Sequence, residues 1–304
     1  MAQDKKERGR EMTAVKEKAY AKINLFLDVL SKREDGFHDI RTVMHTVSLC
    51  DDVTVFYTPR DKTSIRISVD GNRYLPQDSR NLAYRAAELY LKKTAITASV
   101  EIKLIKRIPV AAGLAGGSAD AAAVLRALNR INHKRLTDKA LSELAGELGS
   151  DIPYCLFGKS ALCEGRGENI TRLPNAFLGH FVVAVGNEHV STPKAYGALD
   201  VTFSDFDGSI PTGGNERYAT IIDSVKSGMI NPDGLFNAFE AAVLPMCPGA
   251  TEIKRLLLEL GARASLMSGS GPSVFGLFNS ADEAEAAAEK LRAAGHRAFA
   301  CFSV

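Results

Sequence analysis

No run of apolar side chains in this sequence approaches the roughly 20 residues that a membrane-spanning helix needs. The first stretch, Met1 to Lys18, also lacks the apolar core of a signal peptide; it is charged and mixed in sign, and reads as a frayed lead-in to a cytosolic protein. The five cysteines (Cys50, Cys155, Cys163, Cys247, Cys301) are scattered, odd in number and without a C-x-x-C pair, which argues against a disulfide framework and against a zinc site. The six histidines contain no H-E-x-x-H pairing. An excess of one charge is missing as well: 38 Lys and Arg against 36 Asp and Glu leave a formal net charge of +2. Bulk charge therefore favours neither nucleic acid nor a membrane surface as a partner. What remains, 45% hydrophobic and 24% charged residues without internal repeat or low-complexity tract, is the composition of a soluble globular protein. A chain of 304 residues favours two domains.

One stretch stands out against this ordinary background. Pro109-Val110-Ala111-Ala112-Gly113-Leu114-Ala115-Gly116-Gly117-Ser118 follows Val100–Leu104, whose alternation of apolar and charged residues predicts a half-buried strand. It leads into an alanine-rich run with Val124, Leu125 and Leu128 on one face, which predicts a helix. Glycines between a strand and a helix start leave backbone N–H groups unshielded beside the positive end of a helix dipole, and such a turn binds anions, phosphate first among them. Glycine needed for tight packing alone remains the competing reading. No Gly-Lys-Ser/Thr follows the glycines, and the spacing is not that of a dinucleotide fingerprint, so two familiar phosphate loops are excluded.

The early run Tyr20–Leu30 predicts a strand with Lys22, Asn24 and Asp28 on one face and Ile23, Leu25 and Leu27 on the other. That polar face is either a solvated edge or an ammonium and an amide set side by side toward a ligand. Asp35-Gly36 marks a turn; Phe37 and His38 after it either start the next strand or stack on and hydrogen-bond a base. Further strands are expected over Asp52–Phe56 and Ser64–Val69, a helix over Asn81–Tyr90, and another from the cap Thr137 to Leu148. In Gly149-Ser150-Asp151-Ile152-Pro153, the lone carboxylate either caps a short helical turn or serves as a partly desolvated base.

A second unit is expected to begin near residue 171. It holds a strand at His180–Val185, a helix opening at Thr192-Pro193, a loop over Asp205–Asn215, helices at about 217–227, 234–244 and 250–260, and strands at Ala262–Met267 and Ser273–Phe278. A helix at Ala281–Ala294 and a strand at Arg297–Phe302 complete it. Ser268-Gly269-Ser270-Gly271 is a second glycine turn. This order suggests an α+β layer, with helices on a mainly antiparallel sheet.

Taken together, Pro109, Gly113, Leu114, Gly116, Gly117, Ser118 and Ala119, with Ser268–Gly271 near the C-terminus, resemble the motifs of the kinase family named for galactokinase, homoserine kinase, mevalonate kinase and phosphomevalonate kinase. The resemblance runs from about residue 19 to the C-terminus. It implies a two-domain α+β fold, an N-terminal ATP-binding domain over 11–170 related to ribosomal protein S5 domain 2 and a ferredoxin-like C-terminal domain over 171–304, with the active site in the cleft between. It also implies ATP as phosphate donor.

Residues 21–27, Asp35-Gly36-Phe37-His38 and Gly149–Pro153 are similar to a member of the family whose acceptor is a cytidine diphosphate derivative of methylerythritol, on the non-mevalonate route to isoprenoids. A kinase of mevalonate, homoserine or a sugar is the alternative. The resemblance implies that Asp151 takes or orients the proton of the acceptor hydroxyl and that Lys22 stabilises charge beside it. Residues Pro109 to Ser118 are then the loop around the ATP phosphates, with Asn81 and Lys106 near the nucleotide. Asn24, Phe37, His38, Thr192, Pro193 and Tyr196 fall on the acceptor side, Phe37 and Tyr196 being the faces of a cytosine sandwich. Magnesium is expected with few protein ligands, Ser118 being the hydroxyl assigned to it. No further macromolecular partner is expected, only a monomer or weak homodimer. Phe stands at 37 where Tyr is frequent, and Ala111, Ala112 and Ala115 stand where some members carry glycine.

Overall fold

The computed structural model describes residues 11–174, 176–204 and 213–304, and its first element is a 20-residue strand, β1 (Thr13–Lys32). This corrects the expectation of a frayed lead-in as far as Lys18. Val15 packs on a hydrophobic core, and the Glu17 carboxylate is held by Arg126 Nε at 3.0 Å and Arg130 Nη2 at 2.7 Å. A charged segment whose inward-facing acid meets two arginines joins a sheet, although its composition reads as solvated. β2 (His38–Pro59) is likewise one strand, where a further strand was expected over Asp52–Phe56. Asp51 does not interrupt it, because its buried carboxylate bonds the Ile108 N–H at 2.8 Å and pairs with Lys106.

There follow β3 (Ser64–Asp70), α1 (Leu82–Thr94), β4 (Ala98–Ile105), α2 (Gly116–Ile131), α3 (Asp138–Gly146), α4 (Ile152–Phe157), β5 (Ser160–Gly165) and β6 (Asn169–Arg172). Asn81 caps α1 by accepting the Ala83 N–H at 3.0 Å, and Thr137 caps α3 through the Ala140 N–H at 3.3 Å. The remaining elements are β7 (His180–Val185), α5 (Thr192–Ser204), α6 (Gly214–Ser227), β8 (Phe236–Asn237), α7 (Glu240–Val243), α8 (Pro248–Glu259), β9 (Ala264–Met267), β10 (Val274–Phe278), α9 (Ala281–Ala293) and β11 (Arg297–Phe302).

The helix expected over 234–244 is not one helix. Phe236 and Asn237 pair in parallel with Phe26 and Leu27 of β1, and the Asn237 amide bonds two distant carbonyls, so only Glu240–Val243 is α-helical, between single 3-10 turns at Pro232–Gly234 and Leu244–Met246. Of the loop expected over Asp205–Asn215, residues 205–212 lie outside the described residues, and Gly214 and Asn215 already belong to α6.

Packing divides the chain into two compact units, neither continuous in sequence. The first comprises the described residues up to Tyr20 together with Cys50–Ile108 and Gly116–Phe157. In it β4 runs antiparallel to Asp52–Pro59 of β2 and parallel to β3. Its core joins Val53, Val55, Val100, Ile102 and Leu104 to Tyr90 of α1, the buried alanines, Val124 and Leu125 of α2, and Ile152 of α4.

The second unit comprises Ala21–Leu49, Pro109–Ala115 and the described residues from Gly158 onward. Its four-stranded sheet has the order β11-β7-β10-β9, with every neighbouring pair antiparallel, and α8 and α9 pack on it. This division differs from a single boundary near residue 170. β5 pairs antiparallel with Ile40–His45 of β2 and β6 pairs with β5, so both pack with the second unit although they precede that point.

Candidate active site

Alternation along β1 turns Lys22 and Asn24 to the same side, and both are buried. In the second unit the Lys22 ammonium donates to Asn24 Oδ1 at 2.6 Å and to the Gly113 carbonyl at 2.8 Å. Two polar partners at these distances fix a side chain that would otherwise sample many rotamers. Asn24 is itself oriented. Its Nδ2 donates to Thr42 Oγ1 at 2.7 Å, and the Thr42 hydroxyl donates to the Phe26 carbonyl at 2.7 Å. With its one hydrogen committed, that hydroxyl can only accept from Asn24, so the amide must present its oxygen to Lys22.

The two glycine stretches interlock around this lysine. Ser268 Oγ donates to the Gly113 carbonyl at 3.2 Å, and the Ser273 N–H donates to the Ala112 carbonyl at 3.3 Å. Gly113 has φ 76°, and a Cβ there would lie 2.2 Å from the Ser268 carbonyl oxygen, so only glycine fits. Asn237 holds the second stretch in place, donating to the carbonyls of Met267 at 2.7 Å and Gly269 at 2.9 Å and accepting the Phe239 N–H at 3.0 Å.

In the first unit Gly116 opens α2. A Cβ on Gly116 would stand 2.9 Å from both Ile108 Cγ2 and Lys106 Nζ, whereas one on Gly117 would meet nothing within 4 Å. Ser118 is half-buried in the first turn. Ala111 (φ 52°) and Ala115 (φ 54°) hold left-handed conformations that a side chain disfavours, so the loop carries local strain.

Lys106, expected near the nucleotide, has its ammonium buried between Asp51 and Asp120, with Asp120 at 2.8 Å. Its charge is thus balanced inside the protein, beneath the start of α2. Burial pushes the Asp120 carboxyl up, Lys106 pulls it down and Asp51 pushes it up again, leaving it raised. Asn81 is also engaged at both ends, capping α1 and donating to the Pro76 carbonyl at 2.9 Å. Asp151 is half-buried immediately before α4, with Pro153 in the first turn and its carbonyl accepting the Cys155 N–H at 3.0 Å.

The residues assigned to a base lie in the second unit. His38 stacks on Tyr196 with ring centroids 4.7 Å apart and 22° between planes, and Tyr196 meets Phe239 edge-on. One face of Tyr196 therefore meets an imidazole. Phe37 is exposed, with the Arg166 guanidinium 4.9 Å from its ring centre. Thr192 Oγ1 and Ser270 Oγ are 3.1 Å apart, which links the start of α5 to the second glycine stretch.

Residues 81–159 match the GHMP kinases N terminal domain, and residues 227–297 match the GHMP kinases C terminal domain. A protein of Caldicellulosiruptor bescii named 4-diphosphocytidyl-2-C-methyl-D-erythritol kinase is 39% identical over 280 residues, 91% of this chain and 94% of that one. The chain belongs to the 4-diphosphocytidyl-2-C-methyl-D-erythritol kinase family of GHMP kinases. A crystal structure of a 4-(cytidine 5'-diphospho)-2C-methyl-D-erythritol kinase superposes with a TM-score of 0.78 at 35% identity, covering 95% of this chain and 100% of that chain. Homoserine kinase from Cytophaga hutchinsonii, at a TM-score of 0.69 and 20% identity, covers 96% of this chain and 94% of its own; it shares the fold.

For a GHMP kinase, the informative additions are residues that sequence reasoning passed over. Thr42, Asn237, Asp51, Asp120 and Asp200 each hold a residue or loop that the motifs single out. None is marked by composition, because each acts through a partner at least 14 positions away. Among the described residues no three His, Cys, Asp or Glu side chains gather as a metal cage.

Proposed function

We propose that this chain transfers the terminal phosphoryl group of ATP to the 2-hydroxyl of 4-diphosphocytidyl-2-C-methyl-D-erythritol, on the non-mevalonate route to isopentenyl diphosphate. The carrying observation is the Lys22 ammonium fixed by Asn24 and Gly113 where two glycine stretches interlock, in a chain that aligns over 94% of a relative bearing that enzyme's name.

Phosphoryl transfer passes through a loose transition state, so the protein's work is positioning and charge stabilisation. Asp151 accepts or orients the proton of the attacking hydroxyl. Lys22 donates to the oxygen atoms on which negative charge grows, and its two fixed acceptors keep it from having to reorganise at that moment. Backbone N–H groups from Gly113 to Ser118 face the ATP phosphates. Ser118 suits magnesium, which keeps most of its waters and takes oxygen ligands singly; when bound, the ion neutralises phosphate charge. Asn24, Phe37, His38, Thr192, Pro193 and Tyr196 serve the cytidylyl acceptor. Lys106 and Asn81, both internally bonded, serve the nucleotide by supporting the loop and the start of α1. The reading includes a cytosolic monomer or weak homodimer; among the described residues no helix is long and apolar enough to cross a membrane.

The test is ATP consumption with 4-diphosphocytidyl-2-C-methyl-D-erythritol, mevalonate, homoserine and galactose offered separately. Turnover with the first alone is expected. Turnover with another, and none with the first, overturns the reading.

A further inference from the structure

Asp200 follows Tyr196 by four residues on α5, a spacing that sets two side chains on one face of a helix. The consequence is a clamp on His38: its ring lies on Tyr196, and its Nε2 lies 2.8 Å from Asp200 Oδ1. The other carboxylate oxygen, Oδ2, takes the Lys32 ammonium at 2.5 Å. Burial pushes the Asp200 carboxyl up, but the bonds from Lys32 and His38 pull it down further, and it stays below the usual carboxylate range. An ionised carboxylate only accepts hydrogen bonds, so His38 Nε2 must carry a hydrogen. In the neutral ring Nδ1 then carries no hydrogen and can only accept.

We propose that Asp200 is a specificity-determining positioning residue: by holding the hydrogen of His38 on Nε2, it sets the hydrogen-bonding role of Nδ1 toward the pyrimidine of the acceptor. This rests on the cytidylyl acceptor proposed above. Cytosine and uracil present opposite groups at both positions 3 and 4 of the ring: a bare nitrogen against N–H, and an amine against a carbonyl. A bare Nδ1 can accept from the amine that cytosine carries at position 4, where uracil offers only another acceptor, so a contact there favours cytosine. Asp200→Asn is the informative change, because an amide of the same shape can accept from Nε2–H or donate to bare Nε2, and so releases the constraint.

Two measurements test this. The first needs no substrate: nitrogen NMR of ring-labelled histidine, with His38 assigned by its loss in His38→Ala. The neutral His38 ring is expected as the Nε2–H form in the unaltered chain and as a mixture in Asp200→Asn. A neutral ring protonated on Nδ1 in the unaltered chain, or a form unmoved by the substitution, overturns the proposal.

The second compares the cytidine acceptor with its uridine analogue. Asp200→Asn is expected to raise the cytidine acceptor's KM about tenfold and cut the cytidine-over-uridine preference by a similar factor, as for one misplaced hydrogen bond, with kcat and the KM for ATP within about twofold. In a His38→Ala background the same substitution is expected to add nothing. An equal loss for both bases, persisting in that background, would mark Asp200 as merely structural. If the unaltered chain uses neither acceptor, the functional reading fails while the NMR result still decides the tautomer.

Discussion

The Lys22 ammonium meets the Asn24 amide oxygen at 2.6 Å, and Asn24 turns its oxygen that way because Thr42 takes the other end of the amide. Thr42→Val keeps the shape of the side chain but deletes the hydroxyl, freeing Asn24 to rotate. We expect kcat to fall roughly 10- to 100-fold, the scale on which disturbing an outer group that orients a reacting one acts, while ATP affinity holds. Leaving buried amide and carbonyl groups unbonded also costs about 1–3 kcal/mol of stability. Thr42→Ser separates the two effects, since it restores the hydroxyl and is expected to recover most of kcat. A serine variant as slow as the valine variant refutes the orienting role.

Asp151→Asn is nearly isosteric and retains the ability to accept a hydrogen bond at the start of α4. Turnover should drop about 10²- to 10⁴-fold, the usual range for a positioned acid or base, with the fold and ATP binding intact. Steady-state kinetics beside an ATP titration decides it. Near-normal turnover would return Asp151 to a capping role.

Gly116 and Gly117 are adjacent, yet their substitutions should fail differently. A Cβ at 116 would strike Ile108 and Lys106 at 2.9 Å, so Gly116→Ala is expected to lower the melting temperature as well as ATP affinity. A Cβ at 117 meets open space, so Gly117→Val should melt near the unaltered chain. Any loss of ATP affinity there then reports bulk where the phosphates approach backbone. Unchanged affinity at 117 would place the phosphates elsewhere.

His45 is fully buried, its Nδ1 2.7 Å from Ser160 Oγ and its Nε2 2.6 Å from Ser303 Oγ. Burial pushes its pKa from 6.5 down to about 3. Between those values the unfolded chain binds a proton that the folded chain refuses, so this contribution is complete above pH 6.5 and lost as pH falls toward 3. The slope is about 1.4 kcal/mol per pH unit. Asp28 acts in the opposite sense: burial raises it to about 6, so protonation as pH falls favours the fold. Urea stability of Asp28→Asn measured from pH 7 to 5 should therefore fall more steeply than that of the unaltered chain. Removing His45 as well, as His45→Gln, should flatten the curve. An NMR titration showing His45 protonated near pH 6.5 contradicts the assignment.

Much of the secondary structure follows from short-range pattern. The alternation of Val100–Leu104, the cap at Thr137 and the alanine–glutamate run from Ala281 carry their signals within a few residues, and each forms as expected. The glycine turns and the Lys-x-Asn strand were equally visible, because both are local features. Local pattern misleads where a distant partner changes the outcome. Residues 13–18 read as solvated until Arg126 and Arg130 meet Glu17; Phe236-Asn237 read as helix until β1 and the Met267 and Gly269 carbonyls claim them.

The sequence by itself determined which side chains line one face of β1 and where backbone is bare enough to approach a phosphate, since both depend only on a two-residue repeat and on missing Cβ atoms. Tertiary structure alone decided what holds those groups. Thr42 orienting Asn24, Asp51 and Asp120 enclosing Lys106, and Asp200 bonding His38 are meetings of residues 14 to 162 positions apart. Hydrogen bonds and ion pairs act over about 3 Å of space; only the folded chain brings such distant residues within that reach.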